Sequence, residues 1–128
     1  MDSAINELKA CSGKEECLRK AYGILSNRYR GHRGKTYAKL LHLFHTDIQK
    51  NWKKTGFLHC TNINKIFKHL LLESGFFNPE EVVFKWTLIW YISPHQYARV
   101  KLDGGWVNID IWAKPYGIEF GDYAHGFH

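Results

Sequence analysis

Cys60, His95 and Asp110 are the side chains whose types and order could do chemistry together. A thiol attacks as the thiolate, an imidazole can hold the proton it gives up, and a carboxylate behind the ring fixes its tautomer and stabilises the imidazolium. The stretch Gly56-Phe57-Leu58-His59-Cys60-Thr61-Asn62-Ile63 delivers the cysteine from a tight turn to the start of an apolar-periodic run. Ile63, Ile66, Phe67, Leu70 and Leu71 recur at helical spacing, and Gly75 stands where a glycine closes a helix. The periodicity predicts a helix that opens at or beside Cys60, where unpaired N–H groups and the positive end of the dipole favour an anion and push a thiol toward its reactive form. The bland alternative is a small buried residue at the head of a core helix.

The histidine and the aspartate must come from elements that bring them to that sulfur. Asp103-Gly104 is a type I′ hairpin signal between two β-rich runs, His95 to Leu102 and Gly105 to Trp112. With a two-residue turn, Leu102 faces Gly105 and Tyr97 faces Asp110. One sheet face then carries His95, Tyr97, Arg99 and Lys101 beside Trp106, Asn108, Asp110 and Trp112; the other carries Gln96, Ala98, Val100, Leu102, Val107, Ile109 and Ile111. His95 lies diagonal to Asp110 on the first face, and the second is a core surface. A register shifted by one would separate the pair.

Upstream, Ser12-Gly13-Lys14-Glu15 has the S-x-x-E capping pattern, and Cys17, Leu18, Ala21, Ile24 and Leu25 follow at helical spacing, predicting a helix over 13–28. A helical turn near residues 3–10 is weakly patterned. Gly31 and Gly34 punctuate a loop, after which Tyr37, Leu40, Leu41, Phe44, Ile48 and Trp52 predict one further helix ending before Gly56, with His42 and His45 on its flanks as surface histidines. Residues 76–81 read as a turn. Residues 82–92 are β-branched and aromatic, a long strand whose faces should both be largely covered, broken by Ser93-Pro94. Residues 114–128 read as an ordered coil wrapping the sheet, with a short strand at 117–120. The expectation is a single α+β domain over 1–128, helical to about residue 75 and sheet-forming from about 82.

The 128 residues, 45% hydrophobic and 16% aromatic, can bury a bulky core. Three cysteines, Cys11, Cys17 and Cys60, and a polar first decade with isolated Ile5 and Leu8 predict a reducing cytoplasm and no membrane span. Cys11 and Cys17 are expected as packed thiols, with a bridge between them as the alternative. The net charge of +6 is confined to the N-terminal half: twelve Lys and Arg against five Asp and Glu through His59, six against seven thereafter. The lysines are scattered, which favours solvated helix faces over a nucleic-acid footprint. The dense patch Arg28-Tyr29-Arg30-Gly31-His32-Arg33-Gly34-Lys35 reads as a solvated loop.

The cysteine followed by its apolar helix, and the block His95-Gln96-Tyr97-Ala98-Arg99-Val100-Lys101-Leu102-Asp103-Gly104-Gly105-Trp106-Val107-Asn108-Ile109-Asp110, resemble the transglutaminase-like cysteine-enzyme superfamily over residues 56–112, about half the chain. The resemblance implies a papain-like core, Cys60 as nucleophile, His95 as general base and acid, Asp110 as the orienting residue and Trp106 as a structural aromatic. Arg99 stands where the family often has an acidic residue, and Tyr97 where Trp is common. The Cys60 backbone N–H is the first oxyanion donor, with Trp52 and Gln96 as candidates for the second, and His59, Tyr97 and Trp90 as candidate groove residues. The expected activity is attack on an amide or peptide bond of a protein or peptide through a thioester, with no cofactor and no metal. A catalytically silent binding module on the same scaffold is the alternative, and a metal site from His59, Cys60, His95 and Asp110 a third reading.

Overall fold

A computed structural model describes residues 1–31, 47–89 and 93–125. The elements in order are α1 (Asp2–Lys9), α2 (Lys14–Arg28), β1 (Tyr29–Arg30), α3 (Ile48–Trp52), β2 (Gly56–Phe57), α4 (Cys60–Glu73), β3 (Val82–Ile89), β4 (Ser93–Leu102) and β5 (Gly105–Ile109). Short 3-10 turns stand at Pro79–Glu81 and Lys114–Tyr116. The architecture is α+β: β1 and β2 pair in parallel, and β3-β4-β5 form an antiparallel sheet.

The apolar stripe after Cys60 is the spine of the molecule. Ile63, Ile66, Phe67, Leu70 and Leu71 are all fully buried, and α4 packs on α1, α2 and α3 and on β4. Its close follows the sequence expectation: Ser74 caps it and Gly75 adopts φ +86°, the left-handed region open to glycine. The core between helices and sheet is completed by Leu18, Ala21 and Leu25 of α2 and by Val82, Ala98, Val100 and Ile109.

Several boundaries differ from the sequence reading, each for a local reason. Helix α2 begins one residue later, because extended Gly13 is its cap; Glu16, not Glu15, reaches back to Ser12, taking its N–H at 2.9 Å and its hydroxyl at 2.5 Å. The weak pattern at residues 3–10 is the full helix α1. The single helix predicted across Tyr37 and Trp52 does not run through Asp47, which is extended and accepts a hydrogen bond from the Lys50 N–H at 3.1 Å, so that the helix Ile48–Trp52 begins there. Tyr37, Leu40, Leu41 and Phe44, with His42 and His45, lie outside the described residues. The basic patch does not begin as a solvated loop: Arg28 ends α2 with its guanidinium 4.0 Å from the Trp52 ring and bonded to the Trp52 carbonyl, and Tyr29-Arg30 is β1; residues 32–35 lie outside the described residues.

Strand β3 is not covered on both faces. Trp86 is 60% and Leu88 47% exposed, since β3 ends the strand order and α4 packs over β4. Its described part stops at Ile89, with residues 90–92 outside the described set. Ser93-Pro94 does not precede the next strand but belongs to it, pairing with Ile89 and Leu88.

The β4–β5 register is the expected one: Leu102 pairs with Gly105 and Ala98 with Ile109. The turn chemistry is not type I′, because Gly104 stays out of the left-handed region while Gly105 takes φ +129°. Strand β5 ends at Ile109, earlier than predicted, because Asp110 turns inward to accept the Ala113 N–H at 3.3 Å. The coil beyond does wrap the sheet. The short strand expected at 117–120 is replaced by a single bridge one residue later, Gly121 to Asn108.

The three cysteines are free; Cys11 and Cys17 are buried and Cys60 is half-buried. No helix among the described residues is long and apolar enough to cross a membrane.

Candidate active site

Three pieces of local structure place Cys60. Strand β2 pairs with β1 through Tyr29–Gly56 and Arg30–Phe57, which pins the turn before the cysteine to the end of α2. Gly56 takes φ +90° at this point, a conformation that side chains disfavour. His59, extended and buried, then caps α4, its carbonyl accepting from the Asn62 and Ile63 N–H groups at 3.0 Å each. Cys60 is therefore the first helical residue, and its own N–H belongs to the set a helix start leaves without an intrahelical partner.

His95 reaches the sulfur from β4. The imidazole is 2% exposed, lies within hydrogen-bonding reach of the Cys60 thiol, and has its Nε2 2.6 Å from Asp110 Oδ2. With Nε2 committed to the carboxylate, Nδ1 is the nitrogen left for the thiol. Burial on its own disfavours the imidazolium; the hydrogen bonds to Asp110 and Cys60 and their charges outweigh it and push His95 up to about 9. At neutral pH the ring is thus held protonated between an acid and a sulfur.

Asp110 is 1% exposed, a burial that a carboxylate tolerates only with its oxygens satisfied. Oδ1 accepts from Ala113 N–H at 3.3 Å; Oδ2 takes the His95 ring nitrogen and the Ala124 N–H at 2.8 Å. Trp112, buried, lies against the other side of the pair, its ring centroid 5.0 Å from that of His95 and 5.7 Å from that of Tyr116. Gly31 lets the indole in: a Cβ there would collide with the Trp112 ring and carbonyl, and its N–H donates to the Trp112 carbonyl at 2.9 Å.

The other sequence candidates lie around this centre in different ways. Gln96, the next residue of an extended strand, points to the face opposite His95. Its Oε1 accepts from Asn64 Nδ2 of α4 at 3.1 Å, as its carbonyl does at 3.2 Å. Trp52 ends α3 beneath the Arg28 guanidinium. His59 packs edge-on to Phe57 at 5.0 Å, below the surface rather than on an open wall. Tyr97 is half-buried, stacked at 4.1 Å on Tyr123. Trp90 lies outside the described residues. Trp106 is a surface ring, 42% exposed, with the Arg99 guanidinium 5.7 Å from its centre.

Two contributors were not singled out by sequence reasoning, the N–H groups of Ala113 and Ala124. Backbone donors leave no trace in residue type, and the only signal was an acid that needed partners. Among the described residues, no group of three or more His, Cys, Asp and Glu side chains is arranged to hold a metal ion. Compared with known protein families, with curated proteins and with solved structures, the chain matches none.

Proposed function

We propose that the protein is a cysteine-nucleophile enzyme of transglutaminase-like, papain-like design that acts on amide or peptide bonds of a protein or peptide through a thioester. The carrying observation is the line of contacts from the half-buried Cys60 at a helix start, through buried His95, to Asp110. In this reading His95 already carries a proton on Nδ1, and Cys60 Sγ, attacking as the thiolate of that ion pair, bonds to the substrate carbonyl carbon. The Cys60 N–H stabilises the oxyanion, and the leaving amine departs with the proton from Nδ1. Water or an amine then attacks the thioester and gives its proton to Nδ1, and collapse releases the acyl group and restores the Cys60–His95 ion pair. Asp110 holds the ring throughout.

For the second oxyanion donor the reading leaves Gln96 and Trp52 equal: Gln96 points away from His95 with its amide oxygen on Asn64, and Trp52 lies beneath the Arg28 guanidinium. A cytoplasmic setting suits three free thiols, and a scattered basic surface leaves nucleic acid as a disfavoured partner.

The test is chemical. Iodoacetamide at neutral pH should alkylate Cys60 far faster than Cys11 and Cys17, whose thiols burial pushes up, and His95→Ala should abolish that preference. A fluorogenic amide and peptide panel, run against Cys60→Ala, then identifies the bond cleaved. Equal, sluggish labelling of all three cysteines would instead assign the scaffold to a silent binding module.

A further inference from the structure

Asp110 sits just past the end of β5, where no strand partner holds it, so something else must fix its carboxylate. The Ala113 donor is local, three residues along the same turn, and long. The closer backbone donor, Ala124, arrives from the C-terminal coil. That coil is fastened at successive points. The Phe120 ring meets Tyr22 edge-on at 5.4 Å and lies 4.3 Å from the Arg19 guanidinium, both on α2. The Gly121 N–H donates to the Asn108 carbonyl at 3.1 Å, and the backbone bends there with φ +96°. Tyr123 stacks nearly parallel on Tyr97, 12° between planes, and Ala124 is then buried against the acid.

We propose that residues 120–125 are a strap that positions the catalytic acid: the Ala124 N–H holds Asp110 Oδ2 toward His95, and the Tyr123–Tyr97 stack is its latch. This rests on Cys60, His95 and Asp110 working as a set. Ala124 is a positioning residue, acting through Asp110 and touching no substrate. With the strap in place, water is kept from the carboxylate and the His95–Asp110 bond keeps its short geometry. With it lifted, the carboxylate gains solvent and rotational freedom, and its hold on the imidazolium weakens. Tyr97 thus belongs to the latch in this arrangement rather than to a substrate groove. The titratable groups around the pair are Cys60 from α4, Tyr97 from β4, Tyr22 from α2 and Tyr123 from the strap itself.

The experiment follows the His95 ring by NMR titration in the full chain, together with the pH profile of Cys60 alkylation. Ala124→Pro removes the donor, and Tyr123→Ala removes the latch while leaving every backbone N–H in place. In both, the His95 midpoint should move from about 9 down toward 6.5, and the alkylation profile should shift with it. Tyr123→Phe, which keeps the stacked ring, should restore the wild-type midpoint. If Ala124→Pro does not fold, the Tyr123 pair carries the test. A midpoint unchanged or raised in the folded variants, or a Tyr123→Phe value as low as that of Tyr123→Ala, overturns the strap. The ring titration needs no turnover, so the two readings fail separately: a wild-type thiol that proves inert, with a midpoint that still falls in the variants, sinks the enzyme and leaves the strap standing.

Discussion

His95 is the residue on which the proposed chemistry and the stability of the protein meet. Its conjugate acid is stabilised in the fold, with a value of about 9 against the ordinary 6.5, so the folded state binds a proton more tightly than the unfolded chain. The resulting stabilisation is fully present below pH 6.5 and is lost as the pH rises through 9. Urea midpoints measured at pH 6 and pH 9 should therefore fall with pH in the wild type, and the slope should flatten in His95→Gln. Equal slopes would mean that the imidazolium is not held as its contacts indicate. Asp110 is the partner in that contact, and its two backbone donors satisfy its oxygens out of water.

At the scale of the elements, the chain leaving β1 is sterically constrained at Gly31. Gly31 passes against Trp112 with no room for a methyl group, while Trp112 backs His95. Gly31→Ala should cost about 1–3 kcal/mol as an overpacked site. Because the displaced ring is the one behind the imidazole, Cys60 labelling should slow along with the loss in denaturant midpoint. A change in stability with labelling intact would show that Trp112 can shift without moving His95.

The contrast between elements also shows what the chain discloses before folding. The stripe from Ile63 to Leu71, the closing Gly75 and the parity of the β4–β5 pairing were legible, since each rests on a period that burial enforces. The approach of His95 to Asp110 followed from those periods and one turn length, whereas that of Cys60 was expected from residue types and order alone. What stayed hidden depends on single interactions that leave no period. These are the Asp47 cap that splits a hydrophobic stripe, the exposed outer half of β3, and the backbone donors to Asp110. The turn type at Asp103-Gly104 was misread while its length was right, because the bend is absorbed one residue later at Gly105.

At the scale of the molecule, helices and sheet are joined through the site itself. Cys60 of α4 meets His95 of β4, Asn64 of α4 meets Gln96, and Gly31 meets Trp112. Neither half keeps the site without the other. Unfolding should accordingly be a single transition, with tryptophan fluorescence, far-UV CD and the exposure of Cys11 and Cys17 to a thiol reagent coinciding along a denaturant series. A sheet signal that melts apart from the helical one would instead mean that the two halves hold together only weakly.

The two-residue link between Leu102 and Gly105 carries one more consequence. Side chains on paired strands alternate, so an odd change in the length of that link would hand Asp110 to the wrong side, whereas an even change would merely slide the pairing. Among descendants of this gene, the link should vary by twos or be offset by a bulge in β4 or β5, and a lineage that breaks this arithmetic should be found to have given up its aspartate as well.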